Sequence, residues 1–251
     1  MRRKNRNRSG GSMKIQADKP GRDTWRRLKG AAKIRYIWDY YKLPLFLIFI
    51  CIYVAGYLIW RNVNVEHPQL YMAYVNLEAG EVLDHQLTEG FIDYLQPDEK
   101  NSVVKTLRNL ALTENLQTVD GSYVYASQVK ILAAIDSQQL DVVLMNREAF
   151  DAFSQNGLLA DLDHFSEEHD LTHLAPYFVD NIEILSDNAT EVLTDPTAVY
   201  HAETDTYPMG IDVTEFPFMQ QAGFPDHVYL GIIENTTRAE NAAAFVSYLA
   251  G

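Results

Sequence analysis

The chain has 251 residues, of which 47% are hydrophobic and one is a cysteine, and its formal net charge is −13. That charge is divided unevenly, because residues 1–42 carry 14 Lys and Arg against 3 Asp and Glu, whereas residues 43–251 carry 7 against 31. The net charges of the two parts are therefore +11 and −24. A compact soluble cytoplasmic enzyme would not separate its charges in this way. Nucleic-acid binding needs a basic face, so the acidic body argues against that function.

An uncharged segment separates the two charge blocks. It runs for 18 residues, from Leu43 to Trp60, between Lys42 and Arg61. As a helix it would be about 27 Å long, close to the roughly 30 Å apolar core of a bilayer. Tyr and Trp residues near both of its ends are of the kind that settles in the headgroup layer. The sequence therefore predicts a transmembrane helix over residues 43–60 rather than a buried core helix.

This segment does not have the features of a cleaved signal peptide. Such a peptide has an apolar core of about 7–15 residues, followed by a small-x-small cleavage site. Residues 61–66, RNVNVE, offer no such site, and Cys51 is not preceded by the small residues of a lipoprotein signal. The basic residues before the segment keep residues 1–42 in the cytoplasm. We therefore expect an uncleaved single-pass anchor in the cell membrane, with residues 66–251 exported as an extracytoplasmic domain.

Residues 1–42 are predicted to form a basic cytoplasmic leader. Residues 1–21 are rich in Arg, Lys, Asn, Gly and Ser, so we expect them to be disordered. Apolar and basic residues interleave from Trp25 to Trp38, a pattern that suits a helix lying on anionic lipid. Membrane lipid is therefore the expected partner of the leader, and an RNA-binding or protein-docking arm is the alternative.

The exported residues alternate between strand and helix patterns. Strands are predicted at residues 70–77, 141–145, 207–213 and 228–233, and helices at residues 83–95, 121–135, 148–154 and 237–249. Periodicity leaves residues 103–112 open between strand and helix. The alternation predicts an α/β fold in which helices cover the faces of a sheet. The absence of cysteine from residues 66–251 slightly favours a bacterial cell envelope, because many small secreted eukaryotic domains depend on disulfides.

Three local features sharpen this prediction. In the helix of residues 121–135, an apolar series at near-helical spacing is expected to face the sheet; it consists of Tyr125, Val129, Leu132 and Ile135. Residues 237–240, TRAE, match a capping box that opens the last helix. Residues 191–200 are expected to pair with residues 205–211 in a hairpin.

Three segments resemble extracellular solute-binding proteins of the type 2 periplasmic-binding fold. Residues 141–162, DVVLMNREAFDAFSQNGLLADL, resemble a D-V-V strand followed by a helix and a G-x-L-x-D-L turn. Residues 207–212 resemble the strand that returns from the second lobe, and residues 236–249 are similar to the closing helix. The resemblance implies two lobes that close on a solute. Only about forty residues, 166–206, lie where the second lobe would be, so we expect one lobe with a reduced second lobe.

Polar residues follow several of the predicted strands. Ligands of open α/β sheets bind beyond the carboxyl ends of the strands, which predicts four ligand-binding residues: Asn76, Ser122, Asn146 and Asp212. Ser122 begins a predicted helix, where backbone amides can hold an anion. The alternative for each of the four is a helix cap or a turn residue.

Residues 169–173, HDLTH, are the candidate for metal chemistry. On a helix, His169 and His173 would converge on one zinc ion. However, Asp170 stands where a metalloprotease has its general-base Glu, and a solvated acidic connector is the preferred interpretation. The sequence contains neither a nucleotide-binding loop nor a nucleophile elbow, and Cys51 is its only thiol. We therefore expect no enzymatic activity, catalytic residue, bound metal or cofactor.

Two functional hypotheses follow. The leading one is a membrane-anchored ligand-recognition or sensing module of the cell envelope, whose partners are lipid, a small-molecule or peptide ligand and a membrane protein. The alternative is a structural or protein-interaction subunit without a small-molecule pocket. A cleft lined by the four polar residues would favour the first hypothesis, and a filled cleft with an exposed apolar patch would favour the second.

Overall fold

The computed structural model describes residues 30–63, 65–112, 121–195 and 197–251. The chain divides into two compact units, one ending at Asn64 and the other running from Val65 to Gly251. The disorder predicted for residues 1–21 lies outside the described residues.

One helix accounts for the described part of the first unit. Helix α1 runs from Ala31 to Val63 with Pro44 inside it, so it contains the whole uncharged segment. The described side chains of that segment are exposed, for example Leu43 at 72% and Phe49 at 68%. Among the residues that the structure describes together with their side chains, no helix is long and apolar enough to cross a membrane.

The second unit is an α/β domain. Its described strands are β1 (His67–Val75), β2 (Ser102–Leu110), β3 (Val142–Met145), β4 (Phe178–Asp187), β5 (Ala202–Asp212) and β6 (Tyr229–Ile232). Its described α-helices are α2 (Glu81–His85), α3 (Phe91–Leu95), α4 (Gly121–Asp136), α5 (Arg147–Gln155), α6 (Leu162–Glu168), α7 (Ala189–Thr194), α8 (Pro217–Ala222) and α9 (Ala239–Ala250). One π-helical turn joins α2 to α3, and a 3-10 helix precedes β4. The α/β class predicted from the alternating pattern is confirmed.

The six strands form one mixed sheet in the order β2-β1-β3-β6-β5-β4. β1 lies parallel to both β2 and β3, whereas β6 is antiparallel to β3 and to β5, and β4 is antiparallel to β5. Strands β1, β2, β3 and β5 therefore run in the same direction and end at the same edge. The residues that periodicity left open form β2, because they pair with β1 along most of its length.

Apolar side chains fill both faces of the sheet. On one face, Met72 and Tyr74 of β1 belong to a core with Phe91 of α3 and Phe245 of α9, whose rings meet edge to face at 5.1 Å. On the other face, Val75 lies in a core that α4 and α5 complete. Strands covered on both faces show continuous apolar runs, which explains the pattern of β1 and β3.

Helix α4 presents a different side to the sheet from the one predicted. Its buried positions recur at helical spacing and are Val124, Ser127, Ile131, Ala134 and Ile135. Three of the four residues expected there are exposed instead: Tyr125 at 68%, and Val129 and Leu132 at 49% each. The prediction was wrong because α4 carries apolar residues on two sides, and periodicity cannot say which side meets the sheet.

The last helix forms without the predicted capping box. It begins at Ala239, and no side chain caps its first turn. Thr236 donates its hydroxyl to the buried carboxylate of Asp141 instead, and Arg238 donates to the same carboxylate.

Between α6 and β6 the chain forms a hairpin. Residues 191–194, predicted to be part of a strand, belong instead to α7, and the strand that pairs with β5 is β4. β5 pairs with β6 only at Ile211 and Asp212, so most of the hairpin pairs only within itself. In the described part of residues 166–206, this hairpin, the end of α6 and the 3-10 helix are the regular elements.

Candidate functional site

Three of the four predicted ligand residues stand at one edge of the sheet. The register places Val75, Met145, Tyr229 and Asp212 in a row across β1, β3, β6 and β5. Neighbouring strands are about 4.8 Å apart, so the row spans roughly 14 Å. Asn76 and Asn146 directly follow the first two members of this row. The strand-end rule therefore located a common edge.

Asn76 and Asn146 are hydrogen-bonded to each other. The amide Nδ2 of Asn76 donates to Oδ1 of Asn146 at 3.1 Å, and Oδ1 of Asn76 accepts from the backbone N–H of Leu112 at 2.8 Å. Oδ1 of Asn146 also caps α5 by accepting from the N–H of Ala149 at 3.0 Å. Asn76 has a left-handed φ of 54°, a conformation that asparagine tolerates well. Both side chains therefore organise loops, in line with the cap or turn alternative.

Ser122 lies exposed in the first turn of α4. The helix is held to the end of β2 by two contacts: the hydroxyl of Tyr123 donates to the backbone carbonyl of Asn109, and Oγ of Ser127 accepts from the N–H of Ala111 at 3.2 Å. Ser122 therefore stands beside the carboxyl end of β2.

Asp212 forms a small polar cluster with two residues that the sequence did not single out. Its Oδ2 lies 2.8 Å from Nδ1 of His227, and its Oδ1 accepts from both the hydroxyl and the backbone N–H of Thr214. Partial burial raises the pKa of Asp212, but these hydrogen bonds outweigh it and leave the pKa below its ordinary value. The D-x-T spacing was visible in the sequence. The approach of His227 was not, because it depends on the pairing of β5 with β6.

An aromatic and cationic group lies between Asn146 and Asp212. The rings of Phe150 and Tyr229 stack with their centroids 5.0 Å apart. The guanidinium of Arg147 lies 5.8 Å from the Tyr229 centroid, and its Nε is 2.9 Å from Oδ1 of Asp151. Arg147 is thus held by an ion pair and a ring face. The edge combines amide, carboxylate, imidazole and guanidinium groups, most of which are engaged with one another.

Two clefts lie near these loops. The larger, of about 570 Å3, is bounded by residues 78–86 and 221–225 and carries Glu78 and Glu81. The smaller, of about 220 Å3, includes Thr214 and Glu215. Asn76, Ser122, Asn146 and Asp212 line neither cleft.

The HDLTH segment does not form the helix that zinc binding would require. α6 ends at Glu168, Asp170 is left-handed with a φ of 56°, and His173 belongs to the 3-10 helix. His169 packs on the ring of Phe165 at 4.4 Å, and its Nδ1 is buried, 3.6 Å from Oε1 of Glu240. In the part of the chain that the structure describes, no group of three or more His, Cys, Asp or Glu could hold a metal ion.

These features define an α/β domain with a mixed sheet and a polar, internally bonded strand edge. No family model matches this chain, and no match is found among curated proteins.

Proposed function

We propose that the chain is a single-pass membrane protein whose extracytoplasmic domain, residues 66–251, binds another protein of the cell envelope. It would act as an interaction subunit rather than as a solute-capturing receptor or an enzyme.

The anchor is supported by the sequence and by α1. Residues 43–60 form an uncharged run of 18 residues, and α1 continues through all of them. The apolar side chains described there are exposed around the helix, as lipid contact requires. The basic residues that precede the segment set the orientation.

The observation that carries the interaction function is the distribution of polar and apolar groups on the domain. The asparagines predicted to bind a ligand use their side chains to hold each other and the adjacent loops. Large apolar side chains are exposed instead, such as Leu132 on α4 and Leu193 on α7, the latter at 86%. Exposed apolar groups that cluster on ordered elements are of the kind that marks interaction surfaces.

We also propose that the domain is a reduced relative of the type 2 periplasmic-binding fold. All three resembling segments fall on elements of the matching type, since the D-V-V strand is β3, residues 207–212 are the end of β5, and the closing helix is α9. A hairpin stands where a second lobe would be inserted. A single lobe cannot close on a solute, which favours binding of a macromolecule.

A thermal-shift screen of the full chain in detergent tests the proposal. Amino acids, short peptides, sugars and divalent metals are expected to leave the melting temperature unchanged. A bound ligand at a hundredfold excess over its Kd would add about 2.7 kcal/mol of stability, which such a screen detects. A reproducible, saturable shift would contradict the interaction function and support a receptor.

Ligand recognition remains the second candidate, because the cleft of about 570 Å3 is within the range of small-molecule sites. Its lining includes Glu78 and Glu81 and no Lys or Arg among the described residues, so it would suit a cationic or hydroxyl-rich ligand. Any shift in the screen should then disappear in Glu81→Gln.

A further inference from the structure

We propose that the outer part of the β4–β5 hairpin binds a protein with a basic, apolar surface. This part, the ribbon tip, comprises residues 182–195 and 197–206. The proposal rests on the interaction function above and names the surface and the chemistry of the partner.

The ribbon tip is ordered by its own hydrogen bonds. Beyond the paired strands, the backbone N–H of Asn188 donates to the carbonyl of His201 at 3.1 Å, and Nδ2 of Asn188 donates to the carbonyl of Val199 at 3.0 Å. The hydroxyl of Tyr200 donates to Oδ2 of Asp187 at 3.1 Å. A surface held in this way loses little conformational freedom on binding.

The ribbon tip exposes large apolar side chains at its end. Leu185 of β4 is 55% exposed, Leu193 of α7 is 86% exposed, and Val199 and Tyr200 are 67% and 50% exposed. They belong to three consecutive stretches of one hairpin and add nothing to either core. Covering them would remove apolar area from water, which is the main driving force of association.

The negative charge of the ribbon tip indicates that the partner's surface is basic. It carries six Asp and Glu and no Lys or Arg, and the sequence has no Lys or Arg between residues 148 and 237. Glu183 and Asp205 are direct cross-strand partners, an arrangement that like charges disfavour. Lys or Arg side chains of a partner would relieve this repulsion and complement the field of the surface.

The same charges argue against the other occupants. A second copy of the domain presents the same acidic tip, and anionic lipid and nucleic acid would be repelled. The chain's own basic block lies in residues 1–42, on the opposite side of the membrane in the proposed topology.

Site-specific photo-cross-linking of the full chain in intact cells tests the proposal. A photoreactive residue replaces Leu193 at the tip, Leu132 on the exposed side of α4, or Val82 on α2, which is 67% exposed and serves as the control. Each adduct is resolved by mass, and its cross-linked peptide is sequenced.

The probe at position 193 is then combined with one of two sets of charge substitutions. The tip charge set is Glu191→Gln, Glu203→Gln and Asp205→Asn. The control set, of equal charge change and away from the tip, is Asp98→Asn, Glu148→Gln and Glu167→Gln.

The expected result is one discrete protein adduct at position 193, with Lys or Arg next to the cross-linked site. We expect its yield to fall at least tenfold with the tip charge set and to stay within twofold with the control set. Thermal melting of each variant shows that it is folded.

Four results would overturn the assignment. An adduct at position 132 without one at 193 would leave the interaction function standing and place the surface on α4. A lipid adduct alone at 193 would make the tip a membrane contact. Equal losses of adduct yield with the tip charge set and with the control set would contradict a basic partner. A lack of protein adducts at all three positions would contradict the interaction function itself.

Discussion

The buried carboxylate of Asp141 accepts a hydrogen bond from the guanidinium of Arg238, with 3.3 Å between Oδ1 and Nη1. Asp141 has no exposed surface, and it also accepts from the backbone N–H of Tyr71 at 2.7 Å and from the hydroxyl of Thr236 at 2.6 Å. The guanidinium of Arg238 lies over the ring of Tyr71, 4.6 Å from its centroid. One side chain thus ties β1 and β3 to the start of α9.

Asp141→Ala should therefore lower the free energy of unfolding by about 3 kcal/mol, because it leaves buried donors without an acceptor. Urea denaturation of the full chain measures this. The control is Glu89→Gln, which alters an exposed contact between Oε2 of Glu89 and Nε2 of His85 and should change stability by less than about 0.5 kcal/mol. Equal effects of the two substitutions would contradict the role given to Asp141.

Asn76 and Asn146 should act as one stabilising unit even when no ligand is present. Asn146→Ala is expected to cost about 1 kcal/mol through the lost cap of α5, and Asn76→Ala a similar amount. Because the two side chains are bonded to each other, a double-mutant cycle should show a coupling of at least about 0.5 kcal/mol. Additive or negligible effects would point to a role outside folding.

Asp212 should make stability depend on acid pH. Its folded pKa is lowered, so its contribution is fully present above the unfolded pKa of about 3.9 and is lost as pH falls through the folded value. Melting temperatures measured between pH 6 and pH 2 should fall less steeply for Asp212→Asn than for the unsubstituted chain at the acid end. Asp98→Asn, an exposed control, should leave the pH profile unchanged.

Gly210 should not tolerate a side chain. A Cβ at this position would lie 2.6 Å from Cε2 of Phe150, which is fully buried. We expect Gly210→Ala to cost about 1–3 kcal/mol through overpacking. Gly80→Ala is the matched control, since a Cβ there meets nothing within 4 Å. Adding Phe150→Leu to Gly210→Ala should recover part of the lost stability, because the smaller side chain leaves room for the new Cβ. A substitution that only created a cavity would not recover stability.

The proposed topology can be read by thiol labelling in cells. In a Cys51→Ser background, a membrane-impermeant maleimide should label Ser137→Cys, an exposed position after α4, and should not label Ser12→Cys. Permeabilised cells should show labelling at both positions. Labelling of position 12 in intact cells would show the opposite orientation. Equal protection of both positions would contradict an exported domain.

Local pattern was enough to predict much of the α/β domain. β1, β3, β6 and the last helix lie close to the predicted bounds, because continuous apolar runs and helical periodicity arise within a few residues of one another. The separation of charge and the uncharged run of residues 43–60 are likewise properties of sequence order. The positions of Asn76 and Asn146 directly after β1 and β3 follow from the same local pattern.

Tertiary structure decided what depends on partners distant in the chain. Residues 102–110 became a strand because β1 offered them a parallel neighbour, and Leu132 of α4 is exposed because a helix with two apolar sides can bury only one of them against this sheet. The bond between Asn76 and Asn146, 70 residues apart, gives both side chains a structural contact that local pattern could not indicate. Local pattern thus determined most of the segments that form elements. Long-range pairing determined which side chains are buried or bonded within the fold and which, as at the ribbon tip, stay exposed.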